Sequence, residues 1–96
     1  MRLEFQPQAE RDLEGIGDYI AADNPARAVT FIRELRSHCH QIGQNPLGYC
    51  LRPDIAAGVR SAAHGRYVVY FTVGSDAVTV IRILHGAMDA AAYLDR

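Results

Sequence analysis

The chain contains no lysine. All ten basic residues are arginine, and eleven aspartates and glutamates leave a net charge of −1 over 96 residues. Residues 1–46 carry five arginines against seven acids, and residues 47–96 five against four. A protein that grips nucleic acid by its phosphates shows a clear basic excess, so broad capture of DNA or RNA is disfavoured and only local arginine clusters are left. Long apolar runs are also missing: no stretch approaches the roughly 20 residues that cross a bilayer. Met1-Arg2-Leu3-Glu4-Phe5 has neither the apolar core nor the small-residue cleavage site of a secretory leader, so the cytoplasm is the expected location. Internal repeats, low-complexity segments, a glycine-rich phosphate loop and a Ser–His–Asp arrangement are all absent.

Cysteine is scarce as well. Cys39 falls on an apolar helical stripe and Cys50 in a loop, and in a cytoplasmic chain two reduced thiols are the expectation. His38-Cys39-His40 has metal-ligand chemistry, but successive helical residues point about 100° apart, so these three cannot meet on one ion. No metal and no cofactor is expected.

What the chain does contain is a globular composition, 49% apolar and 22% charged, at a length that makes residues 1–96 a single domain. Leu3 to Phe5 read as a short strand. Ala9, Leu13, Ile16 and Ile20 recur on one face of a helix that Pro7 can open, its missing N–H costing nothing in the first turn. Glu10, Arg11, Asp12, Glu14 and Asp18 take the other faces, with the i,i+4 carboxylates read as a solvated surface. Gly15 and Gly17 weaken this helix by about 1 kcal/mol each relative to alanine, unless they allow close helix packing. Asn24-Pro25 caps and restarts a second helix whose stripe is Ala28, Phe31, Ile32, Leu35, Cys39 and Ile42. The short connection makes the two helices an antiparallel hairpin.

Residues 47–58 read as a loop. Three strands follow, at 59–63, 66–73 and 77–84, separated by His64-Gly65 and Gly74-Ser75-Asp76. The order β-α-α-β-β-β predicts an α+β fold, a helical hairpin packed on a small antiparallel sheet. A short alanine-rich helix is possible over 87–94. Both faces of the last hairpin are apolar: Tyr67, Val69, Phe71 and Val73 against Val68, Tyr70 and Thr72, then Ala77, Thr79, Ile81 and Ile83 against Val78, Val80, Arg82 and Leu84. One helical layer covers one face, so the other is expected to be a bare apolar patch of the kind that marks an interface.

Arg60, Arg66, Arg82 and His85 are the residues with catalytic potential. An arginine can stabilise a phosphorane-like transition state, and a histidine can move protons near neutral pH. Together they would suit cleavage of RNA. Ordinary strand-end roles, with Arg82 paired to a carboxylate, explain the same spacing and are favoured. Tyr19, Tyr49 and Tyr93 are expected at the edge of the core.

Several of these segments resemble a known family. Ala9-x-x-Asp12-Leu13-x-x-Ile16-x-x-Tyr19-Ile20, Asn24-Pro25, Ala28, Pro46-x-Gly48 and the run from Val80 to Met88 are similar in order and spacing to the ParE branch of the ParE/RelE toxin superfamily. The resemblance implies the toxin of a bacterial type II toxin–antitoxin module, neutralised in a hetero-oligomer by a ParD-like antitoxin and acting on DNA gyrase without catalysis of its own. It implies no direct contact with nucleic acid or membrane. The antitoxin would seat apolar anchors on Val68, Tyr70, Thr72 and Val80 and acidic side chains on Arg33, Arg36, Arg60, Arg66 or Arg82. The RelE-like branch, which cleaves messenger RNA on the ribosome, is the alternative. Its members use lysine and arginine clusters, whereas this chain has no lysine, is mildly acidic and follows His85 with Gly86, although Arg82 and His85 match positions where they place an arginine and a histidine. A non-toxic, degenerate member is the third reading.

Overall fold

The computed structural model describes residues 1–94. Its elements are β1 (Arg2–Phe5), α1 (Pro7–Ala21), α2 (Pro25–Gln44), a 3-10 turn (Pro46–Gly48), β2 (Val59–His64), β3 (Tyr67–Val73), β4 (Ala77–His85) and α3 (Ala90–Leu94). Proline opens both long helices. Of these two, α2 alone has a side-chain N-cap, the Asn24 Oδ1 accepting the Arg27 backbone N–H at 3.1 Å. The hairpin is tied across its outer surface by Arg36 and Glu10, 2.8 Å apart.

The sheet order is β1-β4-β3-β2. The meander β2-β3-β4 is antiparallel as predicted, but β1 joins the far side of β4 in parallel, pairing Arg2 to Phe5 with Ala77 to Val80. The sheet is therefore mixed, not purely antiparallel. Gly65 closes the β2–β3 turn at a φ of +60°, a conformation that costs an L side chain energy and glycine little.

One irregularity changes which residues point where. The β3–β4 register pairs Tyr70 with Arg82 but Phe71 with Val80, leaving Ile81 as an extra residue in β4. A bulge of this kind reverses the side-chain alternation downstream of it. Val78 and Val80 thus face the helices, and so does Ile83, in one core with Leu13, Leu35, Ile42, Val69 and Phe71. The strict alternation expected for 77–84 is corrected: Val80 is fully buried under the hairpin and offers nothing to a partner.

The second face is not bare either. Val59, Tyr70, Leu84 and Ala90 form a second apolar cluster, joined by Ile55, Ala56, Val68, Ile81 and Leu94. The 51–58 loop and α3 fold back over the sheet and supply the lid that the helical hairpin cannot. Tyr70 is only 5% exposed, so the expected open patch is closed by the chain's own segments.

The two helical glycines part company. A Cβ on Gly17 would touch Ile32 at 3.5 Å, whereas one on Gly15 meets nothing within 4 Å. Gly15 carries only the entropic cost of glycine in a helix. Gly15→Ala is expected to raise the unfolding free energy by about 0.5–1 kcal/mol, seen as a higher urea midpoint with an unchanged slope.

Candidate functional site

Arg82 lies on β4 beyond the point where β1 ends. β1 has four residues and β4 nine, so the far half of β4 lacks a strand neighbour on that side. Asp12 of α1 fills the gap. Its carboxylate accepts the Ile83 backbone N–H at 2.9 Å and grips the Arg82 guanidinium at 2.8 and 3.0 Å. Both side chains are largely buried. The carboxylate hydrogen bond raises the basicity of Arg82 against the opposing effect of burial. Arg82 also lies over the Tyr93 ring of α3, its guanidinium carbon 5.5 Å from the ring centre. This arginine is a joint between α1, β4 and α3, its charge neutralised by a bidentate partner.

The other three candidates do not gather around it. Arg60 donates to the Tyr49 carbonyl at 2.7 Å. Its register partner on β3 is Phe71 while that of His85 is Tyr67, a separation of about 13 Å along the strand at ~3.3 Å per residue. Arg66 and His85 are neighbours. They line one shallow depression with Tyr19 and Tyr67, and the Gly86 N–H donates to the Arg66 carbonyl at 2.8 Å. His85 meets Tyr67 edge-on, and its Nδ1 accepts the Ala87 N–H at 3.1 Å. A neutral His85 therefore carries its proton on Nε2. Burial pushes the Tyr67 phenol up, with Tyr19 adding to the shift and Arg66 opposing it, so Tyr67 stays protonated at neutral pH.

Of the residues expected to receive a partner, Arg33, Arg36 and Arg66 are exposed. Arg36 is already committed to Glu10 and lies over the Phe5 ring. Val68 and Thr72 are half-buried, and Tyr70 and Val80 are buried. The tyrosines divide. Tyr49 packs edge-on against Phe71, but Tyr19 is 77% exposed and Tyr93 about half exposed beneath Arg82. The edge-of-core reading therefore holds for Tyr49 only.

Two features were not visible in the sequence. Asp12 looked like one more acid on a solvated helical face, and nothing local marks it as the partner of a residue 70 positions away. His38 cannot share an ion with its neighbours Cys39 and His40, yet it points at His64 of β2, with the two Nδ1 atoms 3.0 Å apart. The Tyr49 hydroxyl lies 3.5 Å from His38 Nε2. Burial, and then the neighbouring His64, hold the His38 pKa below its ordinary value. Cys39 and Cys50 are both free thiols. Burial pushes the Cys39 thiol up to about 11, Arg36 acting weakly the other way, which leaves it unreactive.

Among the described residues no three His, Cys, Asp or Glu side chains form a group able to hold a metal ion, and no helix is long and apolar enough to cross a membrane.

This arrangement, a helical hairpin over a four-stranded sheet, is shared with solved toxin–antitoxin proteins. A chain of the chromosomal ParDE system of P. aeruginosa superposes with a TM-score of 0.80 at 22% identity, over 88% of this chain and 95% of that one. A chain of the RelBE2 toxin–antitoxin complex of Mycobacterium tuberculosis gives 0.65 at 21% identity, with the same coverage. The fold is that of the small α+β ParE/RelE class. The family is narrower. The model of the ParE toxin of the type II toxin–antitoxin system parDE matches residues 3–90, and Toxin ParE1 of Caulobacter vibrioides is 35% identical over 91 residues, 91% of either chain. The protein belongs to the ParE toxin family.

Proposed function

We propose that this ParE-family toxin acts by protein–protein contact on DNA gyrase and is restrained by a ParD-like antitoxin. The observation that carries the non-catalytic part is the bidentate hold of Asp12 on Arg82, with Arg60 directed to the Tyr49 backbone carbonyl in the loop before β2. A cleavage site needs its cationic and proton-transfer groups aimed at one reacting phosphate. The exposed Arg33 and Arg66 suit the acidic side chains of an antitoxin tail, in the manner of charge-assisted recognition, whereas Arg36 would first have to leave Glu10. Contact with the buried Tyr70 requires the five-residue α3 to lift from the second cluster, exchanging its Ala90 and Leu94 contacts for those of the antitoxin.

The endoribonuclease reading keeps one specific support, the adjacency of Arg66 and His85 at the mouth of a shared depression. Induction of the toxin without its antitoxin separates the two. The expected result is loss of negative supercoiling in a reporter plasmid with transcripts intact, and the same result with His85→Ala. Cut transcripts that depend on His85 or Arg66, with supercoiling unchanged, would replace the gyrase reading by the nuclease one.

A further inference from the structure

The geometry points to a nitrogen-ligand site for a divalent first-row transition-metal ion, Ni²⁺ or Cu²⁺ in preference to Zn²⁺, held by Nδ1 of His38 and Nδ1 of His64. The inference is independent of the gyrase proposal. The two rings come from different elements, α2 and β2, and meet at 3.0 Å between their Nδ1 atoms with ring centres 5.1 Å apart. With metal–nitrogen bonds of about 2.0–2.1 Å, two ligands on one ion lie about 2.9 Å apart at a right-angle bite and about 3.3 Å apart at a tetrahedral one. The observed 3.0 Å lies between the two values and is compatible with either bite, so the preference for Cu²⁺ and Ni²⁺ follows from their place in the Irving–Williams order at nitrogen ligands.

The remaining groups around the pair are suitable for this role. The Tyr49 hydroxyl stands 3.5 Å from His38 Nε2, where it can accept that nitrogen's N–H, favouring the tautomer with a free lone pair on Nδ1. Phe31 packs edge-on against the His64 ring at 5.5 Å and limits its rotation. The pair opens onto a cleft lined also by Arg33, Glu34, Ser37 and Gln41, so water can reach the ion and complete its coordination. Glu34, one helical turn before His38, is engaged by Arg27 at 3.1 Å and is not counted as a ligand. In the metal-free protein one Nδ1 donates a hydrogen bond to the other. On binding, that bridging proton moves to the same ring's Nε2 through solvent, so two neutral imidazoles bind one ion with no net proton release. The bound ion ties α2 to the β2 edge, beside the exposed Arg33.

The test uses untagged full-length protein stripped with chelator and titrated with Ni²⁺. Wild type is expected to bind one equivalent and to melt about 5 °C or more higher at saturation, by linkage of binding to the folded state. His38→Gln and His64→Gln each abolish the shift, whereas His40→Gln on the same helix retains it. A measurement on wild type alone guards against loss of fold in the variants. Imidazole nitrogen NMR during titration with diamagnetic Zn²⁺ should move the Nδ1 signals of His38 and His64 and leave those of His40 and His85 in place. An unchanged melting temperature with Ni²⁺, a shift that survives His64→Gln, or an NMR response at His40 or His85 instead would overturn the site.

Discussion

Val80→Asp is expected to leave little folded protein at 25 °C. Val80 is fully buried, between Phe5 of β1 and Phe71 of β3, in the core beneath both helices. A carboxylate there has no partner, and the site must either bury an unpaired charge or protonate it while losing the valine's packing. The expected loss is on the order of 4–5 kcal/mol or more, against a total of about 5–15 kcal/mol for a domain of ordinary stability. Thr79→Asp, one residue away and half-exposed, is expected to cost about 1 kcal/mol or less. Circular dichroism melts of the two variants make the comparison. A Val80→Asp protein that melts near wild type would mean that β4 keeps strict alternation and that Ile81 is no bulge. The outcome also bears on function, because an antitoxin contact at Val80 needs the unbulged register.

Asp12→Ala is expected to be nearly as damaging. It removes the partner of a largely buried arginine and the acceptor for the Ile83 N–H in one step. Breaking a buried pair from one side typically costs about 3–5 kcal/mol, and the lower end applies here because Arg82 can swing toward the Tyr93 side and recover some water. At roughly 4–8 °C per kcal/mol for a domain of this size, the melting temperature should fall by well over ~10 °C. Asp12→Asn keeps an acceptor for Ile83 but loses the ionic half, and should cost about 1–2 kcal/mol. The double variant Asp12→Leu with Arg82→Met should recover most of the loss, since replacing both members of a buried pair by apolar groups is often near neutral. Urea denaturation of wild type, Asp12→Leu, Arg82→Met and the double variant closes the cycle. If Asp12→Ala proves no worse than a surface change, the pair is a surface ornament and Arg82 is available for chemistry after all.

Both predictions concern contacts that no local pattern announces. The α1 and α2 stripes, the proline starts, the Asn24 cap and the three-strand meander could all be read from the sequence, because they depend on residues three or four positions apart or on alternation within one segment. The order of elements and the helical hairpin follow from the same local physics. The family pattern was legible too, since it is a matter of order and spacing.

The fate of the sheet's second face was not legible. Its apolar character was read correctly from Val68, Tyr70 and Leu84, but the conclusion that it stands open failed. Ile55, Ala56, Ala90 and Leu94 come from a loop and a short helix whose own sequences carry no signal of where they fold. The parallel docking of β1 beside β4, the Asp12–Arg82 pair and the His38–His64 contact belong to the same group. Each joins residues at least 26 positions apart, and its free energy is released only when the chain is already compact. Local sequence determined which segments are helix and strand and which of their faces are oily. Tertiary structure decided which oily face meets which lid and which charges meet, because burial and ion pairing depend on proximity in space, which a one-dimensional pattern does not encode.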